Sequence, residues 1–270
     1  TIHIFFLWLK NIPKGYKNAK AFFLNNPYIN KVISIEEKSL LLPLSFDLVI
    51  NLEEDIANVK FAATMSKKVI GFKFQDNKIV PTPTAKEWFD MSLLGQSPQN
   101  DILKKKNKKT HRQIMSGIIE VDYTKYEPFL RLNNPQRVIA QEFLRRYNLK
   151  KEDLIVGINT GAADRWPKHL SVKKTVLLID QLYKKYKFKI LLFGGPNEIE
   201  RNKEILKLSQ SPIIDTGCGN NLVEFPALIS VCNYFITSDS LGLHIALALK
   251  RKTITFIGPT SPSEIDLYGL

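Results

Sequence analysis

Short apolar segments rich in Val, Ile and Phe alternate along the chain with amphipathic segments of helical length. This alternation is typical of parallel sheets covered by helices, and it predicts an α/β protein. In the first half the pattern predicts four strands and two intervening helices: strands at residues 2–9, 31–35, 46–52 and 68–72, and helices at 19–26 and 55–65.

The strand pattern fades between residues 82 and 121, where helical periodicity predicts helices at 85–94 and 110–118. Between these two helices lies a basic run, Lys104 to Arg112, which contains five lysines and one arginine. We interpret this run as a mobile loop or the start of a helix.

The second half alternates more regularly and predicts a doubly wound, Rossmann-like domain, whose ligands bind outside the carboxyl ends of the strands. We place the domain boundary before a helix at 136–147, so that the domains span residues 1–132 and 133–270. The predicted strands are 154–159, 188–193, 234–237 and 253–257, and the predicted helices are 172–186, 198–208, 222–232 and 241–249.

The chain has 270 residues, which suits two domains of about 150 residues each. No apolar segment approaches the roughly 18 residues that a membrane-spanning helix needs. Thr1 does not begin a signal peptide pattern, and we expect the natural start to precede it. Cys218 and Cys232 lack the spacing of a disulfide framework or zinc site, so we expect idle thiols in a reducing cytoplasm.

The charge balance is strongly positive, with 39 Lys and Arg against 26 Asp and Glu and a formal net charge of +13. Such an excess favours an anionic partner, such as a nucleic acid, a phosphorylated glycolipid or an anionic membrane surface. Lysine is also abundant along the whole chain, as a general compositional bias would produce, so a merely solvated basic surface is the alternative.

The turn after the strand at 154–159 has a composition suited to binding an anion. Its small residues allow close backbone approach, Thr160 offers a hydroxyl, and Arg165 and Lys168 supply positive charge. The alternative is an ordinary turn with Trp166 in the core.

The next turn is Gly194-Gly195-Pro196, with Glu198 and Glu200 entering the following helix. Acidic residues stabilise a helix start without any ligand, which is the structural interpretation. In the functional alternative, Glu198 contacts a hydroxyl of a ligand.

A third turn, from Thr237 to Ser240, opens a helix directly after an apolar strand. Backbone amides at this helix start favour a diphosphate, and His244 adds a donor on the first turn. In the alternative, Asp239 or Ser240 caps the helix and His244 packs inside.

Taken together, these turns resemble glycosyltransferase family 9, the bacterial heptosyltransferase family, over residues 156–262. The first half resembles the family more loosely, at Asn26-Pro27 and at residues 46–50. The motifs that carry the resemblance are Thr-Gly-Ala at 160–162, Arg-Trp-Pro at 165–167, Gly-Gly-Pro at 194–196, Asp239 and Ser240 with His244, and Gly-Pro-Thr at 258–260.

The resemblance implies a GT-B fold, in which two Rossmann-like domains face each other across a cleft, with the acceptor on the amino domain and the nucleotide-sugar on the carboxyl domain. It also implies an inverting reaction with no metal and no cofactor, because fixed donors stabilise the charge on the leaving nucleotide. The donor-binding residues would be Thr160, Gly161, Arg165, Lys168, Gly194, Glu198, Asp239, Ser240, Leu241, Gly242 and His244.

The sequence departs from the family pattern at two positions of this site. Leu241 stands where the family has Gly, and Gly242 follows one position later. Asp164 stands where the family often has Lys, so Arg165 or Lys168 must supply the charge.

The family's general base is an aspartate in the loop after the first strand, which we expect to precede Thr1. The chain also stops where the family continues with a further helical segment. Within the chain, Glu53 and Glu54 follow the strand at 46–52 and are weak catalytic candidates. The alternative is that they and Asp55 form an acidic helix start.

The resemblance thus indicates sugar transfer, with ADP-heptose among the candidate donors, to a lipopolysaccharide-core or other surface-glycan acceptor. We expect a cytoplasmic enzyme, with peripheral contact to the inner membrane as a further possibility. Lys105, Lys106, Lys109 and Arg112 would bind an anionic acceptor, or would form a solvated loop. A catalytically weak nucleotide-sugar-binding protein is the alternative. A nucleic-acid partner is suggested by charge alone and is not expected, since no recognition motif supports it.

Overall fold

The structure is a computed structural model that describes residues 5–8, 23, 26–162, 168–258 and 262–270. Contacts divide the chain into two compact units, of which the main parts are Lys31–Glu127 and Pro128–Thr260. The short segment Ser261–Asp266 is assigned to the first unit. The predicted boundary between residues 132 and 133 stays a prediction. Among the described residues, no helix has the length and apolar character needed to cross a bilayer.

The first unit combines short strands with short helices. Its strands are β1 Phe5–Trp8, β2 Lys31–Ser34, β3 Val49–Asn51, β4 Val69–Gln75 and β5 Lys78–Pro81. Its α-helices are α1 Ile56–Met65, α2 Lys86–Met91, α3 Gln99–Lys106 and α4 His111–Ile118, and its 3-10 helices are Ile35–Leu41, Pro83–Ala85 and Tyr123–Lys125.

Strand pairing in the first unit is parallel except at its edge. β1 pairs with β2 and β3 pairs with β4 in parallel, whereas β5 pairs antiparallel with β4. The turn between β4 and β5 has Asp76 and Asn77 at φ 50° and 59°, a conformation that suits a tight hairpin. The predicted strand at 68–72 is therefore too short, and β5 was not predicted.

The basic run is not one loop. Lys104, Lys105 and Lys106 form the last turn of α3, where the helix dipole favours positive charge. The interpretation of these three lysines as a loop or helix start is wrong. The next helix, α4, has Thr110 as its N-cap residue, and Thr110 Oγ1 accepts a hydrogen bond from the Gln113 amide at 3.1 Å.

The second unit contains one parallel sheet whose predicted strands lie within one residue of the observed bounds. Strand β8 was not predicted. The strands are β6 Ile155–Asn159, β7 Lys189–Phe193, β8 Ile213–Asp215, β9 Tyr234–Ser238 and β10 Lys252–Phe256. The helices are α5 Asn134–Arg146, α6 Val172–Tyr186, α7 Ile199–Leu208, α8 Glu224–Ser230 and α9 Leu241–Ala248, with a 3-10 helix at Pro196–Glu198. A further 3-10 helix, Pro262–Glu264, lies in the segment assigned to the first unit.

The strand order in this sheet is β10-β9-β6-β7-β8. The chain runs from β6 outward to β8 on one side and then returns to form β9 and β10 on the other. Leu191, Leu192, Phe193 and Phe235 are fully buried, because helices cover both faces of the sheet. The prediction of a doubly wound sheet is confirmed. Its topological switch point lies between β6 and β9, where loops diverge and leave a crevice.

Both cysteines are unpaired thiols, as expected. Cys232 is completely buried beside Gly157, where a Cβ atom would lie 2.9 Å from the Cys232 sulfur. Burial raises the pKa of both thiols above the ordinary value, so both are protonated at neutral pH.

Candidate functional site

A buried asparagine joins the two loops at the switch point. Asn159 ends β6 and is 5% exposed. Its Nδ2 atom lies 3.1 Å from the Gly161 carbonyl oxygen, 3.0 Å from Thr237 Oγ1 and 3.3 Å from Ser240 Oγ. The loop after β6 is therefore tied directly to the loop after β9.

The helix that follows β9 begins without a side-chain cap. Ser240 occupies the N-cap position with an extended backbone, but its hydroxyl does not cap the helix. The amide of Leu243 donates to the Ser240 carbonyl oxygen at 3.1 Å, which leaves the amides before it at the open end of the helix. This helix start is suited to an anion.

An ion pair stands beside this helix start. Lys168 Nζ lies 2.5 Å from Asp239 Oδ2, and the two side chains are 10% and 21% exposed. Because the pair is mostly removed from water, the ammonium is held in one place by its partner. Two residues predicted for the donor site, 71 positions apart, are thus in direct contact.

His244 lies on the outer side of the same corner. Its Nε2 atom is 3.9 Å from Asp239 Oδ1, and its side chain is 68% exposed. The alternative of a His244 packed inside is therefore wrong. Desolvation by the surrounding protein atoms lowers the pKa of His244. The negative charge of Asp239 raises it, and the positive charge of Lys168 lowers it. The net effect lowers the pKa of His244, which favours the neutral imidazole, in which one ring nitrogen donates.

Glu198 stabilises the turn Gly194-Gly195-Pro196 that precedes it. It is 9% exposed, and its Oε2 atom accepts a hydrogen bond from the Gly195 amide at 2.8 Å. The structural interpretation of this turn is therefore confirmed, and a contact between Glu198 and a ligand hydroxyl stays a prediction. A Cβ atom on Gly161 would lie 3.2 Å from Glu198 Oε2, so the first turn also packs closely on this carboxylate.

The Thr160 hydroxyl points into the protein. Its Oγ1 atom lies 2.7 Å from Asn202 Oδ1 and 3.0 Å from the Phe193 carbonyl oxygen. Asn202 is 2% exposed, and a Cβ atom on Gly194 would lie 2.8 Å from its Nδ2 atom. Thr160 and Gly194 therefore help to position the turns, and any contact of Thr160 with a ligand would come from its backbone.

Gly242, which follows Leu241, packs closely against buried side chains. A Cβ atom on Gly242 would lie 3.1 Å from Asn159 Nδ2 and 3.2 Å from Phe235 Cε1. The helix start thus packs closely on Asn159, whereas Leu241 is 38% exposed.

Except for Arg165, the residues predicted for the donor site lie in these turns or beside them. Arg165, with its neighbours Asp164 and Trp166, lies outside the described residues. Three buried polar residues were not predicted: Asn159, Asn202 and Thr237. Asn159 and Thr237 each stand at the carboxyl end of an apolar strand, which was the available signal.

In the first unit, Glu53 and Glu54 precede α1 and do not enter its first turn. Asp55 alone caps this helix, accepting hydrogen bonds from the amides of Ala57 and Asn58 at 3.1 Å each. The acidic-helix-start interpretation therefore applies only to Asp55.

Burial raises the pKa values of both glutamates. The charges of Glu54 and Asp55 raise the pKa of Glu53 further. For Glu54, the Lys104 charge and a hydrogen bond with the Leu93 backbone oppose the effect of burial. These are half-buried carboxylates, one of them close to the basic helix.

The residues predicted to bind an acceptor divide into two pairs. Lys105 and Lys106 are exposed at the end of α3. Lys109 Nζ lies 2.7 Å from Glu87 Oε2, and Arg112 Nε lies 3.4 Å from Asp266 Oδ2. Lys109 and Arg112 therefore also make contacts within the first unit. A depression of about 380 Å³ lies beside this region, with Lys106 and Lys109 among its lining residues.

Comparisons with known proteins agree with this architecture. The model of "Glycosyltransferase family 9 (heptosyltransferase)" matches residues 41–269. The lipooligosaccharide heptosyltransferase 2 of Haemophilus influenzae is 30% identical over 145 residues, which cover 50% of this chain and 40% of that protein. The lipopolysaccharide heptosyltransferase 2 of Escherichia coli is 30% identical over 126 residues, which cover 43% and 34%. The chain thus matches less than half the length of these relatives.

Solved structures show the same fold. A family 9 glycosyl transferase from Veillonella parvula superposes with a TM-score of 0.74 at 18% identity, covering 96% of this chain and 74% of that one. The E. coli ADP-heptose LPS heptosyltransferase II gives a TM-score of 0.57 at 17% identity, covering 88% and 72%. These similarities confirm an α/β fold of the GT-B class. With the family match over most of its length, they establish that the chain belongs to glycosyltransferase family 9.

Proposed function

We propose that this chain transfers a sugar from a nucleotide-sugar to a glycan acceptor of the lipopolysaccharide core. The observation that carries this proposal is the corner at the switch point, where Lys168 and Asp239 pair beside the uncapped start of α9. A helix start with an adjacent ammonium suits a diphosphate, which nucleoside-diphosphate sugars such as ADP-heptose contain.

In this proposal the diphosphate lies against the first turn of α9, between Lys168 and His244. Negative charge grows on the nucleoside diphosphate as the bond to the sugar breaks. The ammonium and the helix amides stabilise that charge without rearranging, because they are already held in place, and the exposed imidazole donates a further hydrogen bond. We propose that the reaction inverts the anomeric centre and needs no metal ion.

We propose ADP-heptose as the donor. Its support is the group of relatives named heptosyltransferase 2 and the E. coli neighbour named for ADP-heptose. The named relatives act in lipopolysaccharide or lipooligosaccharide synthesis, which supports an anionic glycolipid acceptor.

The acceptor would bind to the first unit through Lys105 and Lys106. These two lysines are exposed, so their charge is available to a phosphate or carboxylate. Lys109 and Arg112 would join them by exchanging their intramolecular carboxylate partners for the acceptor. The same basic surface would support peripheral contact with an anionic inner membrane.

The proposed transfer also needs a general base, which removes a proton from the acceptor hydroxyl. Within the chain, Glu53 and Glu54 stay candidates because burial raises their pKa values toward neutrality, where a general base is most effective. A catalytically weak nucleotide-sugar-binding protein is the second candidate, favoured by Leu241 and Asp164.

Donor binding is tested by calorimetric titration of the protein with ADP, UDP and GDP. We expect binding of ADP, and we expect Lys168→Met to weaken it by roughly 10- to 100-fold, since a charged hydrogen bond contributes about 1.5–3 kcal/mol. Lys184→Met is the control, because Lys184 is exposed in the last turn of α6, at the opposite end of this helix from the loop that contains Lys168.

Turnover of ADP-heptose with a lipopolysaccharide-core acceptor then separates the two candidates. Transfer supports the glycosyltransferase, whereas tight ADP binding with no transfer by the full-length protein supports the weak binding protein. Failure to bind any nucleoside diphosphate would overturn both.

A further inference from the structure

We infer that Asn159 is a positioning residue, which sets the separation of the two loops that hold the donor diphosphate. This inference rests on the proposed function, since it concerns the same corner of the second unit. Asn159 is 5% exposed and lies beneath the loops, so it acts through its neighbours and not by touching the donor.

The Asn159 amide group holds the first loop at both its donor and its acceptor atom. Nδ2 donates to the Gly161 carbonyl oxygen at 3.1 Å, and Oδ1 accepts from the Gly161 amide at 3.3 Å. The backbone of Gly161 is therefore clamped from both sides. Any sideways movement of this turn would break one of the two bonds.

The second N–H of the same amide reaches the carboxyl end of β9. It points toward Thr237 Oγ1 at 3.0 Å, and Thr237 is completely buried. Thr237 Oγ1 in turn lies 3.0 Å from Ser240 Oγ and 3.1 Å from the Ser238 carbonyl oxygen. Ser240 is the N-cap residue of α9, so the connection ends at the helix start where the diphosphate is proposed to bind.

The hydrogen-bond donors and acceptors around Asn159 allow few alternative arrangements. A primary amide has two N–H groups and a threonine hydroxyl has one, and the neighbouring oxygens accept them all. Because the site is buried, exchanging the Asn159 amide for a carboxylate would replace two donors by an acceptor and bury a negative charge. That charge would lie directly below the proposed diphosphate.

The packing of Gly242 against Asn159 also supports a positioning role for Asn159. A Cβ atom there would lie 3.1 Å from Asn159 Nδ2, so the first turn of α9 rests on the amide. Truncation of Asn159 would remove the support of this turn and leave both loops to relax separately.

The test compares Asn159→Asp and Asn159→Ala with Asn233→Ala. Asn233 is a matched control, because its Oδ1 accepts the Ile155 amide at 2.8 Å and joins β6 to the β9 side at the opposite end of the sheet. We expect both Asn159 variants to weaken ADP binding at least tenfold and to raise the donor KM, with an unchanged acceptor KM. Asn233→Ala should lower Tm without changing ADP binding.

Thr237 provides a second pair of variants if the Asn159 variants do not fold. Thr237→Val removes the hydroxyl at nearly constant volume and should weaken ADP binding, whereas Thr237→Ser retains the hydroxyl and should restore it. Equal ADP binding by wild type, Asn159→Ala and Thr237→Val would overturn the inference while leaving the proposed function intact.

Hydrogen exchange without nucleotide separates failure of the inference from failure of the function. We expect Asn159→Ala to speed exchange of the amides at 160–162 and 240–243, whereas Asn233→Ala leaves both segments protected. If wild type binds no nucleoside diphosphate, the proposed function fails and the assignment of Asn159 to a donor site fails with it. Unchanged exchange in both segments would overturn the positioning role even if ADP binds.

Discussion

At the scale of single residues, Asp180 shows how one carboxylate joins two helices. It lies on α6 and accepts hydrogen bonds from the Ser209 hydroxyl at 2.7 Å and from the amides of Gln210 and Ser211 at 3.2 Å each. These donors follow the end of α7. Burial raises the pKa of Asp180, but the hydrogen bonds outweigh it and lower the pKa below 3.8.

Because the pKa of Asp180 is lowered on folding, its contribution is present above the unfolded pKa of about 3.9 and is lost as pH falls through the folded pKa. We expect Asp180→Asn to lower the free energy of unfolding by roughly 1–2 kcal/mol at pH 7 and by much less near pH 3. Urea unfolding at both pH values measures this. The exposed Glu204→Gln on α7 is the control, and an equal loss at both pH values would contradict the prediction.

At the scale of elements, α3 places three lysines in its last turn. The sequence pattern predicted a mobile loop or the start of a helix over the basic run, but the chain forms a helix end, a short turn and a new helix start. The lysines therefore stabilise the carboxyl end of α3, where carbonyl groups gather negative partial charge. Lys105 and Lys106 remain exposed to a partner.

Replacing the charged residues Lys105 and Lys106 tests whether this helix end binds the acceptor. We expect Lys105→Gln with Lys106→Gln to raise the acceptor KM roughly three- to tenfold at low salt, since exposed ion pairs contribute about 0.2–1 kcal/mol each. The donor KM and kcat should not change. The matched control neutralises Lys184 and Lys185, which end α6 in the second unit. An unchanged acceptor KM would remove these lysines from the acceptor site.

At the scale of the whole molecule, the net charge of +13 suits two anionic substrates. In the second unit, the Lys168 ammonium is held by Asp239 beside the start of α9. In the proposed mechanism, this ammonium and the helix start would supply what a divalent cation supplies in metal-dependent transferases, namely positive charge near a diphosphate.

Removal of metal ions with a chelator tests whether Lys168 and the start of α9 take the place of a divalent cation. We expect the rate of sugar transfer to change by less than about twofold in excess EDTA, whereas a metal that polarises phosphate contributes several kcal/mol and its loss would cost more than about a hundredfold. Readdition of magnesium is the control. A large loss in EDTA that magnesium restores would show that the diphosphate needs a metal ion.

Prediction from the sequence succeeded best in the second unit. Its buried parallel strands are continuous apolar segments, and four of them were located within one residue. In the first unit, β5 was not predicted because Lys78–Pro81 is a short edge strand that contains proline and alternates less clearly. The strand predicted at 46–52 is only Val49–Asn51 in the structure.

The sequence by itself determined the α/β order, the parallel sheet of the second unit and the turns that carry the family motifs, because hydrophobic periodicity and turn composition are local properties. Only the tertiary structure decided how those turns meet. The contacts of Asn159 with Thr237 and Ser240 join residues 78 and 81 positions apart. Strand order creates such contacts, and no local pattern encodes which buried polar groups will face each other.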